Sequence, residues 1–278
     1  MSAAVSRQLI QHQVTQALAE DINTGDVTAN LIPVEQRVTA QVICREQAVL
    51  CGCEWFDEVF RQLDPNITIH WKATDGEIIK PEQVVCTLQG PARPVLSGER
   101  TALNFLQTLS GTATSAHQYV TAVNNTGTRI LDTRKTIPNL RLAQKYAAHC
   151  GGAVNHRIGL YDAILIKENH IAAAGSITTA VHKAQTDYPD LLLEVEVENL
   201  SQLSEAIHAG AQRVLLDNMD IPTLIQAVSI AGGKTELEAS GGITLKNIRA
   251  VAETGVDFIS IGSITKHLQA TDFSMRFD

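Results

Sequence analysis

The sequence lacks the features that mark membrane and secreted proteins. No apolar run in its 278 residues approaches the roughly 20 needed to cross a bilayer. Residues 1–5 do not combine a charged stretch with a following apolar segment, as a secretory leader would. We therefore expect a cytoplasmic protein with no membrane partner.

Basic residues are also few. Lys and Arg total 22 against 30 Asp and Glu, which gives a formal net charge of -8. Binding to a nucleic-acid backbone needs a broad basic face, and the sequence shows none. A nucleic-acid partner is therefore not expected, and any basic site must be a pocket.

The five cysteines are too scattered and odd in number for a disulfide framework. Cys51 and Cys53 are separated by one residue, which is closer than the spacing of about two to four residues that is usual at zinc sites. We predict that the cysteines are reduced and belong to the core.

The first hundred residues have the pattern of a compact α+β domain. Apolar spacing predicts a helix from Ser6 to about Glu20 and a second helix over 54–63. Short β-type runs occupy residues 38–42, 48–50, 67–71 and 84–88.

A third, long helix is predicted to begin at Ser97 as its N-cap. Arg100 then falls in the first turn, where a cation is mildly unfavourable against the helix dipole. On this local pattern Arg100 is interpreted as a surface residue.

Beyond Asn124 the chain becomes repetitive. Apolar strands begin near the following residues, with helical patterns between them: Ile130, Ala163, Leu191, Val214, Thr235 and Phe258. Strands that alternate with single helices predict βα units and a parallel sheet. The sheet can close into an α/β barrel, complete or open, or stay flat and doubly wound. Both architectures place the active site at the carboxyl ends of the strands.

Six predicted strands end in groups that can do chemistry. The groups are Thr133, Arg134 and Lys135; Lys167 to His170; Glu194 to Glu198; Asp217 and Asn218; Ser240 to Gly242; and Gly262 with Ser263. Arginine grips carboxylates and phosphates with two prongs, whereas lysine acts as a point charge. The mixture, with Arg157 added, predicts a ligand set that carries several anionic groups.

Two glycine-containing loops late in the chain favour a phosphate site. Ser240, Gly241 and Gly242 precede a helical pattern, and Ile261, Gly262 and Ser263 follow the last strand. Glycines let phosphate oxygens approach backbone N–H groups near a helix N-terminus. Either loop alone can also be a plain turn.

Carboxylates alternate along one strand, so Glu194, Glu196 and Glu198 point to the same face. Glu196 or Glu198 lies nearest the rim, and Asp217 ends the next strand. Two such carboxylates can hold Mg²⁺ through water and accept bonds from sugar hydroxyls. The alternative role is neutralisation of the nearby cations. His156 is a possible donor, while His149 and His170 are interpreted as structural.

Motifs along nearly the whole chain resemble quinolinate phosphoribosyltransferase, the carboxylating nicotinate-nucleotide pyrophosphorylase family. They are Glu20-Asp21 through Gly25-Asp26-Val27-Thr28, Gly98 to Asn104, Thr133 to Thr136, His156-Arg157, Ile166 to His170, Glu194 to Val197, Leu216 to Met219, and Ser240 to Ile243. The resemblance implies an N-terminal α/β sandwich over 1–111, rejoined by a tail over 267–278. It also implies an incomplete α/β barrel of about seven strands over 112–266.

The implied activity is a pentosyl transfer in NAD biosynthesis. Quinolinate and 5-phosphoribosyl 1-pyrophosphate would give nicotinate mononucleotide, pyrophosphate and CO₂. Arg134, Arg157, Lys167 and Arg100 of a partner subunit would surround the dicarboxylate, with His156 assisting. Thr133 would add to the substrate site.

The same resemblance gives roles to the remaining groups. Lys135 and Mg²⁺ would stabilise the departing pyrophosphate, while Glu196 and Asp217 would hold ribose hydroxyls or the metal. The two glycine loops would seat the 5-phosphate. The implied assembly is a homodimer or a higher homo-oligomer, and it replaces the local interpretation of Arg100 as a surface residue.

Two other functions stay open at this point. A barrel lyase or aldolase would form a Schiff base on Lys167 or Lys135. A non-catalytic or altered-substrate paralogue, of the type associated with molybdate transport, would keep the fold without this turnover.

Overall fold

The computed structural model describes residues 5–277. Residues 1–4, within the segment that lacks a leader pattern, and Asp278, the end of the predicted tail, lie outside it. In chain order the elements are α1 (Arg7–Ile22), β1 (Arg37–Cys44), β2 (Ala48–Val49), α2 (Cys53–Leu63), β3 (Thr68–Trp71), β4 (Ile78–Ile79), β5 (Val84–Pro91), α3 (Ala92–Ala122), β6 (Arg129–Leu131), α4 (Arg141–Cys150), β7 (Ile164–Ile166), α5 (Glu168–Ala174), α6 (Ile177–Asp187), β8 (Leu193–Val197), α7 (Leu200–Ala209), β9 (Arg213–Asp217), α8 (Ile221–Ala231), β10 (Glu236–Ser240), α9 (Ile248–Ala252), β11 (Phe258–Ser260), α10 (Ser263–Lys266) and β12 (Phe273–Phe277).

The chain forms two compact units. Of the described residues, the first unit contains 5–117, 136–152 and 264–277, and the second contains Gln118–Lys135 and Ala153–Ser263. Residues 112–117, 136–152 and 264–266 therefore belong to the first unit, although the resemblance assigned the whole range 112–266 to the barrel. Within the described residues, no helix is long and apolar enough to cross a membrane.

The first unit has an antiparallel sheet in the order β12-β1-β5-β3. The last strand, β12, pairs with β1 from Ala40 opposite Phe277 to Cys44 opposite Phe273. Trp55, Phe56 and Phe60 of α2 are fully buried and form the centre of its core. Burying an aromatic side chain of this size removes a large apolar area from water and stabilises the unit.

The third helix begins five residues earlier than the sequence predicted. It starts at Ala92, so Ser97 is an internal helical residue and not the N-cap; its hydroxyl donates to Asp26 Oδ2 at 2.8 Å. Pro94 disfavours the interior of a helix, which is why the local pattern predicts a later start. It lies in the first turn of α3, where a backbone N–H has no intrahelical partner, so the proline costs no hydrogen bond. The two-residue strand β4 was not predicted.

The second unit contains a six-stranded parallel sheet in the order β6-β11-β10-β9-β8-β7. All six strands that the sequence predicted are present. Val154 adds a single parallel bridge to Leu131, so the predicted count of about seven corresponds to six strands and one bridge within the described residues. Val195, Val197, Val214 and Leu216 are fully buried, while the residues that alternate with them point to the opposite face.

Gly111 lies inside α3 at a position that has no room for a side chain. A Cβ atom there would lie 2.2 Å from the backbone oxygen of Gln269. Backbone cannot move aside as a flexible side chain can, so the close approach requires glycine.

We expect Gly111→Ala to lower the melting temperature by about 4 °C or more, since overpacking of this kind costs about 1–3 kcal/mol. Alanine in a free helix would instead stabilise, because its helix propensity exceeds that of glycine by about 1 kcal/mol. Differential scanning calorimetry measures the change, with Gln118→Ala on the exposed side of the same helix as the control. An unchanged or raised melting temperature would show that this contact does not constrain the fold.

Candidate active site

A cavity of about 410 Å³ opens at the carboxyl ends of the parallel strands. Its lining residues are Thr133, Arg134, Lys135, His156, Arg157, Leu165, Lys167, Glu196, Leu215, Asp217, Glu238, Ser240 and Ser260. Neighbouring strands contribute residues two apart, such as Leu215 with Asp217 and Glu238 with Ser240. This period of two is the pleat of a strand, and it places every second side chain in the cavity.

Cationic side chains are crowded on one part of the cavity wall. Burial and the neighbouring Arg134 guanidinium lower the pKa of Arg157. Two guanidinium groups this close repel each other, so an anionic ligand between them is favourable. The sequence placed both arginines in one site, and they line one cavity.

Lys135 lies beside Gly262. A Cβ atom at Gly262 would lie 3.0 Å from Lys135 Cδ and 3.5 Å from Thr133 Oγ1. The lysine therefore crosses directly over a backbone position that has no side chain. Any larger residue at this position would displace the cation.

The carboxylates of the cavity differ in depth. Glu196 accepts a hydrogen bond from Lys167 Nζ, and Asp217 Oδ2 accepts one from Asn218 Nδ2 at 2.8 Å. Glu194 lies deeper on the same strand and is 1% exposed, whereas Glu198 is exposed and is not part of the lining. Of the three alternating glutamates, Glu196 is thus the one at the cavity wall.

His156 is fixed on several sides. Its backbone N–H donates to Asp132 Oδ1 at 2.8 Å, and the Asp132 side chain is fully buried. Its Nε2 lies 3.0 Å from Glu194 Oε2 and 3.3 Å from Glu238 Oε2. The Arg157 backbone N–H donates to its Nδ1 at 2.7 Å.

Two opposing effects act on the His156 ring. Burial lowers its pKa, but the two carboxylates outweigh burial and raise the pKa to about 9. The Arg157 N–H needs a lone pair on Nδ1, which only the neutral ring offers. The contact at Nδ1 therefore opposes the effect of the carboxylates, and the observed geometry is that of the neutral ring, with its hydrogen on Nε2 directed at the carboxylates.

The two glycine loops are only partly at the cavity. Ser240 lines it, and Gly241 has φ +97° with Asn218 Oδ1 only 2.1 Å from where a Cβ would be, so it must be glycine. Gly242 also has a positive φ, and a Cβ atom there would have nothing within 4 Å. The predicted helix after this loop is short and starts at Ile248, as α9.

The second loop differs from its predicted role in two residues. Ile261 is buried, and its backbone N–H already donates to Leu131 O at 2.9 Å. The Ser263 hydroxyl is 3.1 Å from the Tyr119 hydroxyl and is not part of the lining. Gly262 remains the residue of this loop that is adjacent to the cationic wall.

Arg100 is an exposed residue of α3 in the first unit. It is not among the residues that line the cavity. Its predicted role in a partner's site stays a prediction.

Comparison with known proteins matches both parts of the chain. Residues 26–110 match the model of the quinolinate phosphoribosyl transferase N-terminal domain, and residues 112–276 match that of the C-terminal domain. The chain belongs to the quinolinate phosphoribosyltransferase family.

Individual relatives of this family are similar over nearly the whole length. A probable carboxylating nicotinate-nucleotide pyrophosphorylase of Bacillus subtilis is 42% identical over 257 residues, which cover 92% of this chain and 89% of the relative. A protein of Synechocystis with the same description is 41% identical over 272 residues, which cover 96% of this chain and 92% of the relative. The structure of the nicotinate-nucleotide pyrophosphorylase from Francisella tularensis superposes with a TM-score of 0.98 at 48% identity. The superposition covers 100% of this chain and 99% of that chain.

Four lining residues of this family member were not identified from its sequence: Leu165, Leu215, Glu238 and Ser260. Each precedes by two positions a residue that was identified at a strand end: Lys167, Asp217, Ser240 and Gly262. The pleat period therefore could have found them.

The cationic wall predicts binding of multivalent anions. Inorganic pyrophosphate at about 100 times its Kd should stabilise the fold by about 2.7 kcal/mol. We expect Lys135→Ala to need a higher pyrophosphate concentration for the same rise in melting temperature. Lys183→Ala, on an exposed helix face, is the matched control. Equal shifts for wild type and Lys135→Ala would remove Lys135 from the anion site.

Proposed function

We propose that this protein is a quinolinate phosphoribosyltransferase, which converts quinolinate and 5-phosphoribosyl 1-pyrophosphate into nicotinate mononucleotide, pyrophosphate and CO₂. The observation that carries the proposal is the composition of one cavity wall. Arg134, Lys135, Arg157 and Lys167 lie together with Glu196 and Asp217. Membership of the family, with matches over both domains, supports the same reaction.

The crowded guanidinium groups of Arg134 and Arg157 suit the two adjacent carboxylates of quinolinate. Each carboxylate would accept paired hydrogen bonds from one planar guanidinium, and the ligand's charge would relieve the repulsion between them. Lys167, held by Glu196, would add a third cation. A ligand with one carboxylate would leave a cation without its partner, which opposes binding.

Bond cleavage at the ribose is stabilised by charge on both sides of the anomeric carbon. As the bond to pyrophosphate breaks, positive charge develops on the sugar and negative charge on the leaving group. Asp217 and Glu196 would face the sugar, and Lys135 would face the pyrophosphate. Gly262 leaves the room in which Lys135 can approach it.

Glu196 and Asp217 also fit Mg²⁺, because both offer carboxylate oxygens from adjacent strands. When bound, the ion would neutralise charge on the pyrophosphate. Ser240, Gly241 and Gly242 would seat the 5-phosphate. In the ribosylated intermediate the ring nitrogen is cationic, and it stabilises the electron pair left on the adjacent ring carbon when the neighbouring carboxylate leaves as CO₂. A proton from water then takes the place of CO₂ on that carbon.

The Schiff-base alternative is less consistent with this site. Lys167 Nζ is engaged by the Glu196 carboxylate, whereas such chemistry needs a lysine nitrogen that is free to attack a carbonyl carbon. The non-catalytic alternative would need loss of charged groups, yet the cations and carboxylates of the predicted site line one cavity.

We expect the purified protein with Mg²⁺ to form nicotinate mononucleotide from quinolinate, measured by chromatography, and to form at least about 100-fold less from nicotinate. Lys167→Ala and Arg134→Ala should each lower kcat/KM for quinolinate by about 100-fold or more. Lys234→Ala, exposed on the turn after α8, is the control. Absence of product from both pyridines would contradict the proposed reaction and favour a binding protein.

We also propose a homodimer in which Arg100 completes the partner's site. The support is the family resemblance together with the exposure of Arg100 in the first unit. A residue supplied across a two-fold interface can be tested by mixing variants, because each subunit then carries one intact contribution.

Arg100→Ala and Lys167→Ala should each be inactive alone. After mixing, unfolding and refolding together, a mixed dimer would contain one complete site, and activity should return to about a quarter of the wild-type value. Two Arg100→Ala preparations mixed in the same way are the control. No recovery in the mixed sample, with dimers confirmed by light scattering, would place Arg100 outside the partner's site.

A further inference from the structure

Two buried glutamates lie at the floor of the cavity, Glu238 in its lining and Glu194 behind it, and neither has a role in the proposed reaction. Glu194 on β8 is 1% exposed and Glu238 on β10 is fully buried. A buried carboxylate is costly unless it is paired and hydrogen-bonded. Here both are directed at one atom, Nε2 of His156, from the two strands that flank β9.

The His156 ring connects these carboxylates to the cationic wall. Its Nε2 carries a hydrogen and meets the two glutamates, while Nδ1 receives the backbone N–H of Arg157. Arg157 lines the cavity, and its guanidinium lies beside that of Arg134. A shift of the ring therefore shifts the backbone from which Arg157 reaches the ligand.

The backbone of the same segment is clamped independently. Asp132 accepts from the His156 N–H at 2.8 Å through Oδ1 and from Asn155 Nδ2 at 2.8 Å through Oδ2. The Asp132 contacts fix the backbone but leave the imidazole free to rotate about its side-chain bonds. The ring contacts with Glu194 and Glu238 restrict that rotation. Precise placement of a binding group by such supporting contacts is worth large factors in affinity.

We propose that Glu194 and Glu238 are positioning residues, which act through His156 to set Arg157 for the dicarboxylate. They do not contact the ligand. This inference rests on the proposed function, because quinolinate is the ligand whose binding it explains.

A simple charge effect predicts the opposite sign. Glu238 places negative charge next to a pocket for a dianion, so its removal alone would relieve repulsion and tighten binding. Positioning predicts weaker binding. The direction of the change therefore separates the two explanations.

We expect Glu238→Ala to weaken quinolinate binding by about tenfold, measured as Kd by isothermal titration calorimetry, since contacting groups couple by about 0.5–3 kcal/mol. Binding of 5-phosphoribosyl 1-pyrophosphate should change by less than about twofold. Glu238→Gln should recover most of the affinity, because its amide oxygen keeps the 3.3 Å contact with Nε2. Glu236→Ala, on the same strand and paired with Arg213, is the matched control and should bind both ligands normally.

A double variant tests whether the effect passes through the ring. In the His156→Ala background, Glu238→Ala should weaken quinolinate binding by less than about twofold further, since residues that act through one contact are not additive. Melting temperatures verify folding. If Glu238→Ala does not fold, Glu194→Ala on β8 replaces it in the same test, because it removes a contact to the same nitrogen.

Four outcomes would overturn the inference. Tighter quinolinate binding by Glu238→Ala and Glu238→Gln would make Glu238 a repelling charge. A full tenfold loss in the His156→Ala background would make it a direct contact. Failure of the wild type to bind quinolinate would overturn the proposed function and this inference together, whereas normal wild-type binding with an unaffected Glu238→Ala would overturn this inference alone.

Discussion

The parallel register of six strands is the constraint on which the site depends. Because neighbouring strands run in the same direction, their carboxyl ends meet at one edge, and the pleat turns every second residue inward. Leu215 aligns with both Glu196 and Glu238 across its two neighbours. Residues far apart in sequence thereby become lining residues of one cavity. A slip of one position in β8 or β9 would replace the charged inward residues of that strand with valines or leucines.

Charge balance is the second constraint, and it operates locally. The protein is acidic as a whole, yet its cavity gathers cations, and burial together with the neighbouring Arg134 lowers the pKa of Arg157. Carboxylates at two depths offset them: Glu196 at the wall pairs with Lys167, and Glu194 with Glu238 lies beneath. Burial raises the pKa of Glu194 to about 7, while the contact with His156 outweighs burial at Glu238 and lowers its pKa. These carboxylates thus balance part of the positive charge of the cavity, which still attracts a multiply charged anion.

Much of this arrangement could be predicted from the sequence, because strand ends and helical stripes are local patterns. The six strands and the candidate cations follow from apolar runs that finish in charged residues. The pleat period places Glu238 on the cavity face, but it places Glu236 there as well. Nothing local shows that Glu238 is fully buried against His156 while Glu236 is partly exposed. Ile261 looked free for the opposite reason, since its N–H is used by Leu131, a residue 130 positions earlier in the chain. Long-range pairing is the information that a local pattern does not contain.

The same distinction explains why His156 was ambiguous from sequence. A lone histidine in a chain has no visible partner, and its role depends on which groups face each ring nitrogen. The fold gives it carboxylates from two strands on one side and the backbone of its own neighbour on the other. Both ring nitrogens are thereby engaged within the protein, which favours orientation of Arg157 over direct donation to a ligand. An arginine can form two parallel hydrogen bonds with a carboxylate only when its approach angle is fixed. The buried cluster of His156, Glu194 and Glu238 is energetically costly, and such a cost is consistent with a need to orient Arg157 as well as to supply its charge.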